Sequence, residues 1–99
     1  MKTPEVTKRP DEEFAIGFRY TSPDLEEDET ITEAVITITG SEEVIDLVVD
    51  GAPTIEEGNL VKQKIKAGTA DEEYKVIFKI TTSVGYIFED FIYVKVRSL

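Results

Sequence analysis

Glu89 and Asp90 stand side by side near the end of a 99-residue chain. Adjacent carboxylates are the first place to look for acid/base chemistry. They fall in a β-type run, where neighbouring side chains point to opposite faces, so the two groups are not expected to converge on one bond. Residues 21–29, TSPDLEEDE, hold five more carboxylates. A calcium loop needs converging oxygen ligands and usually a glycine at its sharp turn. This stretch has no glycine and no D-x-D-x-D-G spacing, so a solvated, metal-free acidic loop is expected. Lys62, Lys64 and Lys66 alternate with Val61, Gln63 and Ile65. The lysine row reads as a solvent face, suited to an edge strand whose lysines discourage edge-to-edge pairing, or as a binding stripe.

Much chemistry is missing. With no histidine and no cysteine, the chain by itself builds no Ser-His-Asp triad, no His- or thiolate-ligated metal site and no disulfide. It has no phosphate loop and no G-x-G-x-x-G after a strand. The expectation is a protein that is not an enzyme, with no catalytic, cofactor-binding or metal-ligating residue and no cofactor.

The elements that position these residues are strands. Residues 74–96, YKVIFKITTSVGYIFEDFIYVKV, organise the chain. Tyr74, Val76, Phe78 and Ile80 fall on one side and Lys75, Ile77, Lys79 and Thr81 on the other, the period of a strand with one buried face. Residues 82–85 supply a turn in which Gly85 adopts positive φ without steric cost. The run from Tyr86 to Val96 is rich in β-branched and aromatic residues. Its hydrophobic register shifts between Phe88 and Phe91, where a bulge is one reading.

Before the hairpin, Phe14, Ile16, Phe18 and Tyr20 alternate in a first strand, with Gly17 marking a bulge or a close backbone approach. Residues 30–39 make a second strand with Ala34, Ile36 and Ile38 toward the core; Ile31 and Val35 suggest that its other face is partly covered. Residues 44–49 form a short strand with Ile45, Leu47 and Val49 on one face, Thr54-Ile55 start an edge segment, and residues 59–66 carry the lysine row. Tyr74 is either a tyrosine-corner-like hydrogen-bond donor or acceptor at a strand start or an ordinary core tyrosine. Residues 1–12, with Pro4 and Pro10, are expected to be an extended or mobile arm. Turn signals recur at intervals of roughly 8–12 residues. The expected architecture is therefore all-β: an Ig-like antiparallel β-sandwich of about seven short strands without significant helix. It occupies residues 13–99 as a single domain, preceded by the arm at 1–12.

The net charge of −10, from 21 acidic and 11 basic residues, repels phosphate backbones and anionic bilayers, so neither nucleic acid nor membrane is an expected partner. No apolar run approaches the roughly 20 residues of a membrane span. The N-terminal residues lack an apolar signal-peptide core, so the chain is expected to stay where it is made unless an assembly carries it out.

Several short motifs together resemble a known family. They are Ala67-Gly68-Thr69-Ala70, Tyr74-Lys75-Val76, Ile80-Thr81-Thr82-Ser83-Val84-Gly85, Glu89, and Val94-Lys95-Val96, with Lys8-Arg9-Pro10-Asp11-Glu12 and Asp28-Glu29-Thr30-Ile31 upstream. In order and spacing they are similar to the small phage fiber-tail adaptor proteins of tailed bacteriophages. Two departures stand out. Tryptophans frequent in that family are absent here, and the polar run after the turn glycine is replaced by the apolar Tyr86-Ile87-Phe88.

The resemblance implies a structural protein of a phage or prophage, an adaptor in tail or neck assembly. Its partners would be other tail, neck or fiber proteins, with a homo-oligomer also open. It would be found in the host cytoplasm during assembly and then in the virion. The alternative is an Ig-like binding module of a bacterial surface or adhesion protein. The candidate interface residues are Tyr86, Ile87 and Phe88, which cannot all face one core because successive strand residues alternate, and Lys62, Lys64 and Lys66.

Screening by added salt should stabilise the protein, because the carboxylates from Asp24 to Glu29 repel one another. In thermal melts, calcium at roughly millimolar concentration should do no more than another divalent ion at equal ionic strength. A saturable, calcium-selective rise in Tm would overturn the metal-free reading.

Overall fold

Strands with one apolar face bury it by packing against a second sheet. The computed structural model describes residues 5–20, 28–40 and 47–97, and its strands are β1 (Glu5–Lys8), β2 (Phe14–Arg19), β3 (Ile31–Gly40), β4 (Leu47–Val49), β5 (Thr54–Glu56), β6 (Leu60–Ala67), β7 (Glu73–Thr82) and β8 (Ile87–Val96). Among the described residues there is no helix. One sheet has the order β1-β8-β7-β3, the other β2-β6-β4 with β5 also paired to β6. The protein is thus an all-β sandwich. Among the described residues every pairing is antiparallel except β1 with β8, which is parallel.

The core lies between the sheets. Tyr74, Val76, Phe78 and Ile80 of β7 are buried, as the alternation predicts, and face Ile16 of β2 and Val61 and Ile65 of β6. The rings of Phe18 and Phe78 meet edge-on at 5.1 Å and tie one sheet to the other. Two glycines serve the geometry expected of them. Gly85 turns the β7–β8 hairpin at φ 98°. Gly17 lies so close to β6 that a Cβ there would collide with the Val61 carbonyl oxygen. At the far end of β7, Thr69 N–H donates to the Tyr74 hydroxyl at 2.9 Å. Tyr74 is therefore both a core residue and a tyrosine-corner-like acceptor.

Four expectations change. First, no bulge interrupts β8. Its register with β7 runs unbroken through Phe88↔Ile80, Glu89↔Lys79, Asp90↔Phe78 and Phe91↔Ile77. The apolar pattern shifts because a carboxylate, Asp90, occupies an inward position and accepts a hydrogen bond from the Tyr20 hydroxyl at 2.9 Å. Second, the bulge sits in β3, which advances two residues from Ile31 to Glu33 while β7 advances one. That flips Ile31 into the core, whereas Val35 on the outer face is 49% exposed. The outer face is not covered at Val35.

Third, the acidic loop is not solvated throughout. Asp28 is exposed, but Glu29 is buried; residues 21–27 lie outside the described residues. Fourth, the N-terminal segment is tied in from Glu5 onward, with residues 1–4 outside the described set. Glu5–Lys8 pairs with residues 93–96. Lys8 is fully buried and its ammonium donates to the carbonyls of Ala67 at 2.6 Å and Arg9 at 2.7 Å. Three hydrogen-bond donors suit a cluster of carbonyl ends.

Burial holds the Lys8 ammonium below the ordinary lysine range, while Glu12, Asp11 and Glu13 oppose the shift. A lowered folded-state pKa means that the unfolded chain binds more protons as pH approaches the ordinary value of about 10.4. The burial penalty is then complete at neutral pH and is relieved as pH rises through that window. Urea unfolding at neutral pH and near pH ~10 should show the wild type gaining stability relative to Lys8→Met. A constant difference between the two proteins would contradict it. Phe78→Ala should cost about 3–5 kcal/mol from lost burial and a cavity, read as a fall in the denaturation midpoint.

Candidate functional site

The β7–β8 turn is held from within and from the side. Gly85 N–H donates to the Thr82 carbonyl at 2.9 Å, Thr82 N–H to the Tyr86 carbonyl at 2.9 Å, and Tyr86 N–H to the Thr82 hydroxyl at 3.2 Å. The start of the neighbouring strand fixes it further, with Ser83 N–H donating to the Thr30 carbonyl at 2.7 Å and Thr30 N–H to the Ser83 hydroxyl at 3.1 Å. On this rigid base Tyr86 is 51% and Ile87 60% exposed, and Val84 beside them is also exposed. Phe88 turns inward, half-buried and packed on the core, and meets the Tyr86 ring edge-on at 6.4 Å. Of the apolar triplet, two side chains are offered to solvent and the third anchors them.

The lysine row behaves differently. β6 is not an edge strand: β2 pairs along one side of it, and β4 and β5 along the other. Lys62, Lys64 and Lys66 share its outer face and are matched by acids from adjoining segments. Lys62 pairs with Glu56 at 3.2 Å, Lys64 with Asp50 at 3.3 Å and Lys66 with the same Asp50 at 3.8 Å. These side chains are one-third to one-half exposed, so each pair contributes about 0–1 kcal/mol. The row is a charge-balanced outer face and not a bare cationic stripe.

Glu89 faces out and Asp90 faces in, bonded to Tyr20, so the two do not form an acid/base couple. No group of three or more acidic side chains placed to hold a metal occurs among the described residues. Sequence reasoning missed Asp90 as a structural acceptor; the interrupted apolar alternation at that position was the signal.

A two-sheet sandwich with an exposed apolar hairpin tip belongs to the class of small all-β modules. The family model described as Gp77, podophage GP4 fiber-tail adaptor protein gp77, matches residues 8–95. The chain belongs to this phage fiber-tail adaptor family, which gives it a structural role in a phage tail, contacts with other tail or fiber proteins, and a final place in the virion. No curated protein matches the chain.

Proposed function

We propose that the chain is a non-enzymatic assembly component that joins tail, neck or fiber proteins through the β7–β8 hairpin tip. It would be made in the host cytoplasm and built into the virion without binding nucleic acid or membrane. The observation that carries this reading is the exposure of Tyr86 and Ile87 on a turn already immobilised by Thr30, Thr82 and Ser83. Apolar side chains on a backbone already held require little further ordering of the chain on docking and gain burial, the balance that favours an interface. The lysine row is the lesser candidate because its charges are matched within the chain.

Ile87→Asp tests the tip. The outward position at β8 tolerates a carboxylate, as Glu89 two residues on already does, so the variant should fold with a cooperative melt. A buried aspartate in the docked state should abolish incorporation into tails, or self-association if the partner is a second copy. A folded variant that assembles normally would remove the tip from the interface.

A further inference from the structure

A sheet packed on the core by one face alternates apolar residues inward with polar residues outward. The β7–β8 pair departs from that rule at the centre of its outer face. The outward residues of β7 are Glu73, Lys75, Ile77, Lys79 and Thr81, and their partners across the ladder are Lys95, Tyr93, Phe91, Glu89 and Ile87. Ile77 thus stands opposite Phe91, and the Phe91 and Tyr93 rings meet edge-on at 5.3 Å. All three are only half-buried. Val35 of β3, which pairs with Lys79, extends this apolar surface and is 49% exposed.

The charges around this centre identify what covers it. Lys95 is already matched by Glu5 and Glu73, so it selects no partner. Lys79 and Glu89 differ. Both are exposed beside the apolar centre, and neither forms an ion pair among the described residues. The chain carries a net charge of −10, yet the outward row of β7 and β8 sets three lysines against two glutamates. Two copies meeting there do not present like-charged surfaces to each other.

A twofold contact uses the same patch on both copies, so the patch must complement itself. A twofold axis parallel to β7 and β8, midway between them above the face, exchanges the two strands and keeps each level of the ladder. Each residue then lies over the other member of its own cross-strand pair in the second copy. Lys79 meets Glu89, Ile77 meets Phe91 and Lys75 meets Tyr93, each contact made twice. An axis across the strands would instead set Lys79 over Lys75 of the second copy. We infer that this face joins two copies of the chain, stacked face to face about the axis along the strands. Sheets pack in this way about 10 Å apart with strands within about 30° of each other. Ile77 and Phe91 form the dry centre, and the Lys79–Glu89 pairs fix the orientation. The contact goes beyond the proposed function, since it belongs to the sheet face and holds for the isolated chain whether or not the hairpin tip meets a tail protein.

Analytical ultracentrifugation of the full chain over a concentration series tests this. The wild type should show a reversible monomer–dimer equilibrium. Lys79→Glu alone and Glu89→Lys alone each set like charges against each other across the contact, twice, and should each weaken the dimer by about tenfold or more. An equimolar mixture of the two variants restores both opposite-charge contacts between unlike copies, so a heterodimer should form with at least about tenfold higher affinity than either homodimer. That recovery cannot come from changes within one chain, which the mixture leaves in place. Phe91→Glu should abolish the dimer, and if it fails to fold the charge exchange still decides. Ala15→Lys, on the outer face of the other sheet, should dimerise as the wild type does. The proposal is overturned by a wild type that stays monomeric up to about 1 mM, by a dimer indifferent to both charge reversals, or by a mixture that associates no better than its components. The hairpin tip is read separately, from tail incorporation of Ile87→Asp, so either reading can fail alone.

Discussion

The continuous register between β7 and β8 is the constraint on which the rest of the sandwich depends. Pairs run without a break from Glu73 opposite Lys95 to Thr81 opposite Ile87. Because side chains alternate with a period of two, a slip of one residue would turn Tyr74, Val76, Phe78 and Ile80 to solvent together. The register also decides everything at the hairpin end. It sends Phe88 inward and Ile87 outward, and it puts Asp90 on the core side, where Tyr20 reaches it from β2. A carboxylate facing into a sandwich is costly unless hydrogen-bonded, and the Tyr20 hydroxyl meets that need while linking the two sheets.

Charge is distributed by a related logic. Among the described residues, acids gather in the connections at Asp11–Glu13 and Asp71–Glu72, while most lysines lie on outer strand faces. On those faces cations find local partners. Lys62, Lys64 and Lys66 are matched by Glu56 and Asp50, Lys95 by Glu5 and Glu73, and Lys75 sits over the Phe91 ring at 4.2 Å. The cation that lacks solvent altogether, Lys8, is satisfied by backbone carbonyls instead. It joins the end of β1 to the end of β6, so a four-residue parallel strand is held at both its backbone and its side chain.

An adaptor joins at least two things, and the fold offers surfaces of different physical character. The hairpin tip is compact, apolar and prebuilt by backbone hydrogen bonds. The outer face of β6 is polar and charge-balanced, its lysines matched by Glu56 and Asp50. Such surfaces discriminate partners through shape and hydrophobic burial at one place and through charge at another. Family membership gives the chain a structural role in a phage tail; the geometry distinguishes the surfaces.

Local residue chemistry alone determined the strands other than β1, the inward row of β7, the turn at Gly85 and the tight approach at Gly17, because period-two alternation and the absence of a Cβ act within a few residues of chain. It also required at least one of Tyr86, Ile87 and Phe88 to leave the core, since the three cannot share one face. What it could not determine was which strand lies next to which. The lysine row reads as an edge by composition, yet β6 is central, because the outer face of a middle strand is as wet as that of an edge strand and the difference lies only in the backbone pairing. Asp90 resembled a break in register because its partner, Tyr20, is 70 residues away in the chain. Ile31 sits on the wrong parity for the core until the bulge at Thr32 corrects it, and Glu29 and Lys8 read as solvent-exposed until the fold buries them. Each of these was settled by tertiary structure for one reason: burial and hydrogen bonding depend on groups that the sequence holds far apart.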